Sequence, residues 1–171
     1  MTYGVYKIEI NGLPYVGKSS NIEQRFIKHK NAFEAGTQAK KLQQAYDLYK
    51  DAKMSILEYV PNDPNLLARK EYFWIKKLNS INNGLNTQPT NSAKDEPYSY
   101  EQHKVLAAFL MLLDKVPDTD ICMETGLTPK MLESIRQGTN YSWLAGDFPI
   151  EYHQLRTVTK STGYSKNYKN F

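Results

Sequence analysis

Arg25 and His29 lie four residues apart in a segment with helical spacing, so both project from the same side of one helix. Further on, Glu71 interrupts an otherwise apolar stripe formed by Leu67, Trp74 and Leu78. A carboxylate turned toward a core is costly unless it is paired, hydrogen-bonded or bound to a cation. Two chemistries fit Glu71 at this stage, a structural salt bridge, with Arg25 as one partner, or ligation of a metal ion. For His29 the plain alternative is a histidine at the surface or the core edge.

The elements that must position these residues follow from local signals. Tyr3 to Ile10 is rich in strand formers, Asn11-Gly12 is a strong two-residue turn, and Leu13 to Lys18 returns. Such a turn pairs Ile10 with Leu13, Ile8 with Tyr15 and Tyr6 with Gly17, which places Tyr6, Ile8, Tyr15 and Gly17 on one face. Pro14 cannot donate to a ladder, so the second strand belongs at an edge. The first strand is then central, with a third, Met54 to Val60, on its other side. Ser20-x-x-Glu23 reads as a capping box opening a helix from Asn21 to Phe33. Lys40 to Tyr49 forms a second helix, and Asp63-Pro64 opens a third that runs to Leu78. A three-stranded antiparallel sheet flanked by helices is an α+β arrangement.

Charge is divided unevenly over the 171 residues. The chain carries +4 overall, but residues 1–88 hold 13 Lys and Arg against 8 Asp and Glu, a net of +5. The first part is the better candidate for a polyanion partner. Cys122 is the one cysteine, which excludes an internal disulfide and points to an intracellular setting. The start, MTYGVYKIEI, has no basic stretch leading into an apolar run, so no signal peptide is expected. The longest apolar run, Val105 to Leu113, is far short of the roughly 20 residues of a membrane span.

Gly4-Val5-Tyr6, Tyr15-Val16-Gly17, Arg25, His29, Glu71 and Asn86, the last in a closing Gly-Leu-Asn, together resemble the GIY-YIG nuclease domain over about residues 3–88. The run Lys18 to Arg25 and the Lys41-Leu-Gln-Gln segment are most similar to phage-encoded, free-standing homing endonucleases of that family. Val stands for Ile in both tripeptides, which keeps the strand preference. Thr37-Gln38 stands where those relatives often carry a histidine, which leaves open whether Gln38 replaces a functional one. Leu85 stands where Tyr usually precedes Asn86.

The resemblance implies a catalytic set of Tyr6, Tyr15, Arg25, His29, Glu71 and Asn86. Tyr6 would act on the attacking water, with His29 or the metal field helping, because a phenol of pKa roughly 10 is a poor base at neutral pH. Arg25 would bind the scissile phosphate. Glu71 would hold a single Mg²⁺, the only metal ligand expected from the protein. Tyr15 would serve the leaving group or the water network, and Asn86 would fix the geometry of the site. Gly17 would leave room for the substrate backbone, and Lys18 would add a phosphate contact. The implied partner is double-stranded DNA, in the cytoplasm of a phage-infected host.

The second half begins after a polar, proline-containing linker, Gln88 to Pro97, assigned here as 89–97. Tyr98 to Val116 reads as one amphipathic helix. Ile121-Cys122, Gly126-Leu127-Thr128, Met131-Leu132, Ile135 and Gly138 then fall at helix-turn-helix spacing, within an all-α module over 98–156. Its second helix would offer Lys130 and Arg136 to DNA. Residues 97–156 carry a net of −3, however, so a small helical bundle that packs on protein is the alternative. Trp143 and Phe148-Pro149 read as core closure. Residues 157–171 form a basic tail with Tyr164, Tyr168 and Phe171 available to stack.

The expected function is a metal-dependent, site-directed endonuclease. The alternatives are a repair or foreign-DNA-degrading nuclease with the same chemistry, and a DNA-binding regulator in which cleavage is incidental.

Overall fold

The computed structural model describes residues 2–88 and 98–161. Residues 89–97 of the expected linker and residues 162–171 of the expected tail lie outside the described residues. The chain divides into two compact units, residues 1–97 and 98–171.

In the first unit, β1 (Gly4–Ile10) pairs antiparallel with both β2 (Leu13–Ser19) and β3 (Lys53–Tyr59), giving the order β2-β1-β3. Asn11 and Gly12 both take positive φ, 49° and 77°, as a tight primed turn demands. The register is Tyr6 to Gly17, Ile8 to Tyr15 and Ile10 to Leu13. Strand alternation then sorts the side chains onto two faces. Tyr6, Ile8 and Ile10 pack with Ile22, Phe33, Leu42 and Leu85, with Tyr15 against that cluster. Val5 and Val16 pack on the other face with Val60, Leu67 and Ile75.

Helices cover both faces. On the tyrosine side lie α1 (Ile22–Glu34) and α2 (Lys40–Tyr49), and on the valine side lies α3 (Pro64–Lys77). The cap of α1 differs from the expected Ser20–Glu23 box. Asn21 is the N-cap, its side chain accepting from the Gln24 N–H at 3.0 Å. Glu23 instead accepts from the Thr2 hydroxyl and from the Thr2 N–H at 3.3 Å. Ser20 and Asn21 are both capping types, and only the second has an oxygen placed to reach the third residue of the helix. For α3 the expected cap holds, Asp63 accepting from Asn65 and Leu66 before Pro64 enters the first turn.

β2 is the edge strand, as Pro14 required, and the segment after α3 closes its outer side. The Leu85 N–H donates to the Pro14 carbonyl at 2.8 Å. Gly84 lies so close to that carbonyl that a Cβ would collide with it. Asn86 then copies a strand partner: its Oδ1 accepts the Val16 N–H at 2.8 Å and its Nδ2 donates to the Val16 carbonyl at 2.9 Å. Lys41 reaches back from α2 to the Ile81 carbonyl at 3.2 Å.

The second unit is all helical: α4 (Tyr100–Leu113), α5 (Asp118–Thr125), α6 (Pro129–Gln137), α7 (Ser142–Asp147) and α8 (Pro149–Ser161). Ser99 and Gln102 form a reciprocal capping box at the start of α4. Between α5 and α6, Gly126 takes φ +71° and Thr128 caps the second helix, which gives a helix-turn-helix shape. Leu106, Phe109, Ile121, Leu132, Ile135, Leu144 and Phe148 form its buried interior. α8 carries five residues into the segment expected to be tail; the Thr157 hydroxyl donates to the His153 carbonyl at 2.8 Å. No described helix is long and apolar enough to cross a membrane.

Replacing Asn86 with Ala would leave the buried Val16 N–H and carbonyl without their side-chain partner. The expected loss is about 2–4 kcal/mol in chemical denaturation. A loss under about 0.5 kcal/mol would show that Asn86 does not hold the edge strand.

Candidate active site

Four of the expected residues converge beneath the N-terminal half of α1. Tyr6 rises from the centre of the sheet, and its hydroxyl lies 2.8 Å from His29 Nε2. Arg25, one turn earlier, donates its Nε–H to the same oxygen at 3.1 Å. Tyr15, opposite Ile8 in the register, brings its ring within 6.1 Å of the imidazole and its hydroxyl to Arg25. The i, i+4 spacing on α1 thus does what the sequence implied: both side chains reach one phenol from above.

Gly17 makes the arrangement possible in a way that differs from the expectation. A Cβ at Gly17 would lie 2.5 Å from the Tyr6 hydroxyl oxygen. The missing side chain therefore makes room for Tyr6 itself, which leans across the strand toward its register partner.

Burial sets the electrostatics. Tyr6 is fully buried, and that burial, followed by the nearby Tyr15 and Glu71, pushes its hydroxyl above the ordinary phenol range against the pull of Arg25. His29 is pushed down to about 4, first by burial and then by the Arg25 charge, so the ring is neutral at neutral pH. Burial disfavours the charge of Arg25, but the hydroxyls of Tyr6 and then Tyr15 outweigh it and raise its pKa.

Glu71 comes from the other face of the sheet. It is fully buried on α3, and its carboxylate lies 3.1 Å from Lys18 Nζ. The partner is thus Lys18, at the end of β2, rather than Arg25. Alternation puts Lys18 on the same face as Val16, toward α3. Lys18, expected to contact phosphate, is in this state held by the carboxylate.

The two sides meet where β2 ends. A cleft of about 410 Å³ opens there, lined by Lys18, Ser20, Gln24, Arg25, Lys28 and Leu67 among others. Lys18 and Arg25, one bound to Glu71 and the other to Tyr6, are both in its wall. Lys28, which sequence reasoning did not single out, adds a third cation; its place one turn after Gln24 on the same helix was the available signal. The cleft also sits at the N-terminus of α1, where the helix dipole favours anions.

Among the described residues no group of three or more His, Cys, Asp or Glu side chains could hold a metal. A single buried carboxylate beside a basic cleft suits a hard, oxygen-seeking cation that completes its shell with water and substrate phosphate. That carboxylate is paired with the Lys18 ammonium.

Asn86 joins the site through the backbone. Its clamp on Val16 fixes the strand between Tyr15 and Gly17. Gln38 was noted only as a departure from relatives, yet its side-chain nitrogen lies 2.8 Å from His29 Nδ1 and 3.2 Å from the His29 carbonyl.

In the second unit Lys130 is exposed at the start of α6. Arg136 is instead half-buried, its guanidinium paired with Asp118 and 3.7 Å from Glu133. The expectation that Arg136 faces DNA overlooked an acid on α5 within its reach.

Comparison with known proteins adds the following. Residues 2–86 match the family described as the GIY-YIG catalytic domain. The chain is similar to "Intron-associated endonuclease 1" of Enterobacteria phage T4, with 33% identity over 124 residues, 66% of this chain and 51% of that protein. It therefore spans about half the length of that curated relative. Among solved structures it is similar to a glutamate-to-alanine mutant of the catalytic domain of intron endonuclease I-TevI. That match has 34% identity and a TM-score of 0.51, and covers 53% of this chain and 98% of the other.

A depressed His29 pKa has a consequence for stability. The unfolded ring takes its proton near 6.5, the folded ring only near 4. Between those values the unfolded state binds more protons, so the stability contributed by a neutral His29 is present above about 6.5 and is lost as the pH falls toward 4. Thermal denaturation of the wild type should weaken over that window, and His29→Gln should remove that part of the slope. Equal slopes in the two proteins would place the His29 pKa near its ordinary value.

Proposed function

This chain belongs to the GIY-YIG family, and on that premise we propose that it is a metal-dependent endonuclease of the phage homing type that hydrolyses phosphodiester bonds in double-stranded DNA. The family is metal-dependent, and Mg²⁺ is the ion proposed here. The observation that carries the reading is the convergence of Arg25 and His29 on the Tyr6 hydroxyl, beside a basic cleft backed by a buried carboxylate. Structural packing alone gives no reason to bury a glutamate and a phenol–imidazole pair against two half-buried cations that line one cleft.

The roles follow from chemistry and position. A scissile phosphate entering the cleft meets Arg25, whose planar guanidinium matches two phosphate oxygens. Drawing Arg25 onto phosphate uncovers the Tyr6 hydroxyl, which it otherwise seals. Tyr6 then faces the attacking water, with His29 fixing the orientation of its oxygen. Tyr15, whose hydroxyl raises the Arg25 pKa after that of Tyr6, would order the same network. Glu71 would hold the metal ion in place of Lys18, whose ammonium would then be available to a phosphate oxygen. The ion supplies Lewis-acid polarisation of the phosphate and charge stabilisation of the leaving oxygen. Asn86 holds the strand that carries Tyr15 and Gly17.

In this reading residues 1–88 cut, residues 89–97 link, and the helical module over 98–156 directs the enzyme to its site, with Lys130 at the exposed start of the second helix. An intracellular setting in a phage-infected host fits the same activity. The similarity to a phage intron-associated endonuclease favours this over repair of damaged DNA.

Glu71→Ala is expected to lower cleavage at least about 10²-fold while mobility-shift binding to DNA stays near the parent level, since the cationic surface is kept. Full cleavage by that variant, or in the presence of EDTA, would remove the metal role. Tyr6→Phe deletes one oxygen, leaves the buried His29 ring without its partner, and should slow turnover by about 10²-fold or more while the melt is lowered but stays cooperative. Cleavage at the parent rate would reduce Tyr6 to a core aromatic.

A further inference from the structure

Gln38 sits in the turn between α1 and α2, behind the imidazole and away from the cleft. Its own backbone is pinned, the Gln38 N–H donating to Gln43 Oε1 at 3.3 Å. The Gln43 amide is fixed in turn, because its nitrogen donates to the Phe33 carbonyl at 3.2 Å and to the Asp47 carboxylate at 3.0 Å. Both of those partners can only accept, so the oxygen of Gln43 must face Gln38.

The Gln38 amide is set by the same logic. Its Nε2 lies 3.2 Å from the His29 carbonyl, which only accepts, and 2.8 Å from His29 Nδ1. Turned over, the amide would press its oxygen against that carbonyl. Nδ1 therefore meets an N–H donor and has to offer a lone pair. A neutral imidazole carries one proton, so the proton is on Nε2. That nitrogen lies 2.8 Å from the Tyr6 hydroxyl.

We infer that Gln38 is a positioning residue that selects the Nε2–H tautomer of His29, making His29 a hydrogen-bond donor to Tyr6 rather than the base that takes its proton. The Tyr6 oxygen then accepts from two N–H groups, His29 Nε2 and Arg25 Nε, and its own proton points away from both. When Arg25 turns to phosphate, the His29 Nε2–H remains on the Tyr6 oxygen and keeps the phenol proton directed away from the imidazole. The tautomer stands on these contacts alone. Its value to cleavage rests on the nuclease reading above.

Full-length protein with ¹⁵N-labelled histidine, at pH 8, tests both parts. His29 is assigned by comparison with variants of the other two histidines, His103 and His153. The expected spectrum has a pyrrole-type Nε2 and a pyridine-type Nδ1 for His29; the reverse pattern overturns the inference whatever the enzyme does. Gln38→Glu replaces the donor with an acceptor and should move the proton to Nδ1, with nicking of supercoiled plasmid DNA in Mg²⁺ falling about 10²-fold. An unchanged His29 spectrum in that variant shows that Gln38 does not choose the tautomer. A switched spectrum with unchanged nicking shows that the choice does not serve the reaction. Should the unsubstituted protein fail to nick at all, the nuclease reading falls, and the spectrum still decides the tautomer.

Discussion

A slip of one residue between β1 and β2 would exchange every side chain across the sheet. Tyr15 would leave the α1 face and Val16 would take its place, while the Tyr6 hydroxyl would meet a side chain where it now meets Gly17. The whole candidate site depends on that register, and three separate features enforce it. The Asn11-Gly12 turn sets the pairing, the two faces bury different apolar sets, and Asn86 engages one particular residue of the edge strand, Val16. The last is the most economical. A single carboxamide supplies the donor and the acceptor that an extra strand would have supplied.

Given the register, the chemistry becomes a question of how to assemble charged groups around a phenol that the sheet has already buried. Arg25 and Lys18 line the same cleft from opposite sides of the sheet, each held by a different partner, Tyr6 in one case and Glu71 in the other. Each cation is thus held by an internal group, a phenol for Arg25 and a carboxylate for Lys18. The exposed side chains of the cleft, such as Lys28, give the entering anion its first attraction.

What the sequence allowed one to read divides along the same line. The hairpin, the edge position of β2, the three helices and the Arg25–His29 face follow from periodicity, turn chemistry and one proline, all of them local. The Glu71 burial was legible as a carboxylate in an apolar stripe, but its partner was not. Lys18 reaches it only because β2 and α3 pack together, which no local pattern announces. Gly17 was read correctly as a site of close approach and assigned the wrong neighbour, since the length of a tyrosine across the strand was not considered. The α1 cap shifted by one residue because two adjacent capping types compete there. Gln38 was visible as a departure from relatives, but its bond to Nδ1 arises from the fold of the α1–α2 turn.

The helical unit shows the limit of motif reading in another way. Its turn glycine, cap and apolar pair produce the α5–α6 geometry as expected. Yet shape and recognition surface are separate properties. Arg136 faces α5, where Asp118 neutralises it, and Glu133 adds a second acid on the same helix. With its last-turn cation paired to Asp118, the exposed cation left on the helix is Lys130, at its N-terminal end beside Thr128. That end is also where the helix dipole favours an anion, so the remaining contact would be made mainly to the DNA backbone. Backbone contacts set register on a duplex without reading sequence. If this unit directs the enzyme to DNA, as proposed, α6 alone supplies little of its sequence selectivity.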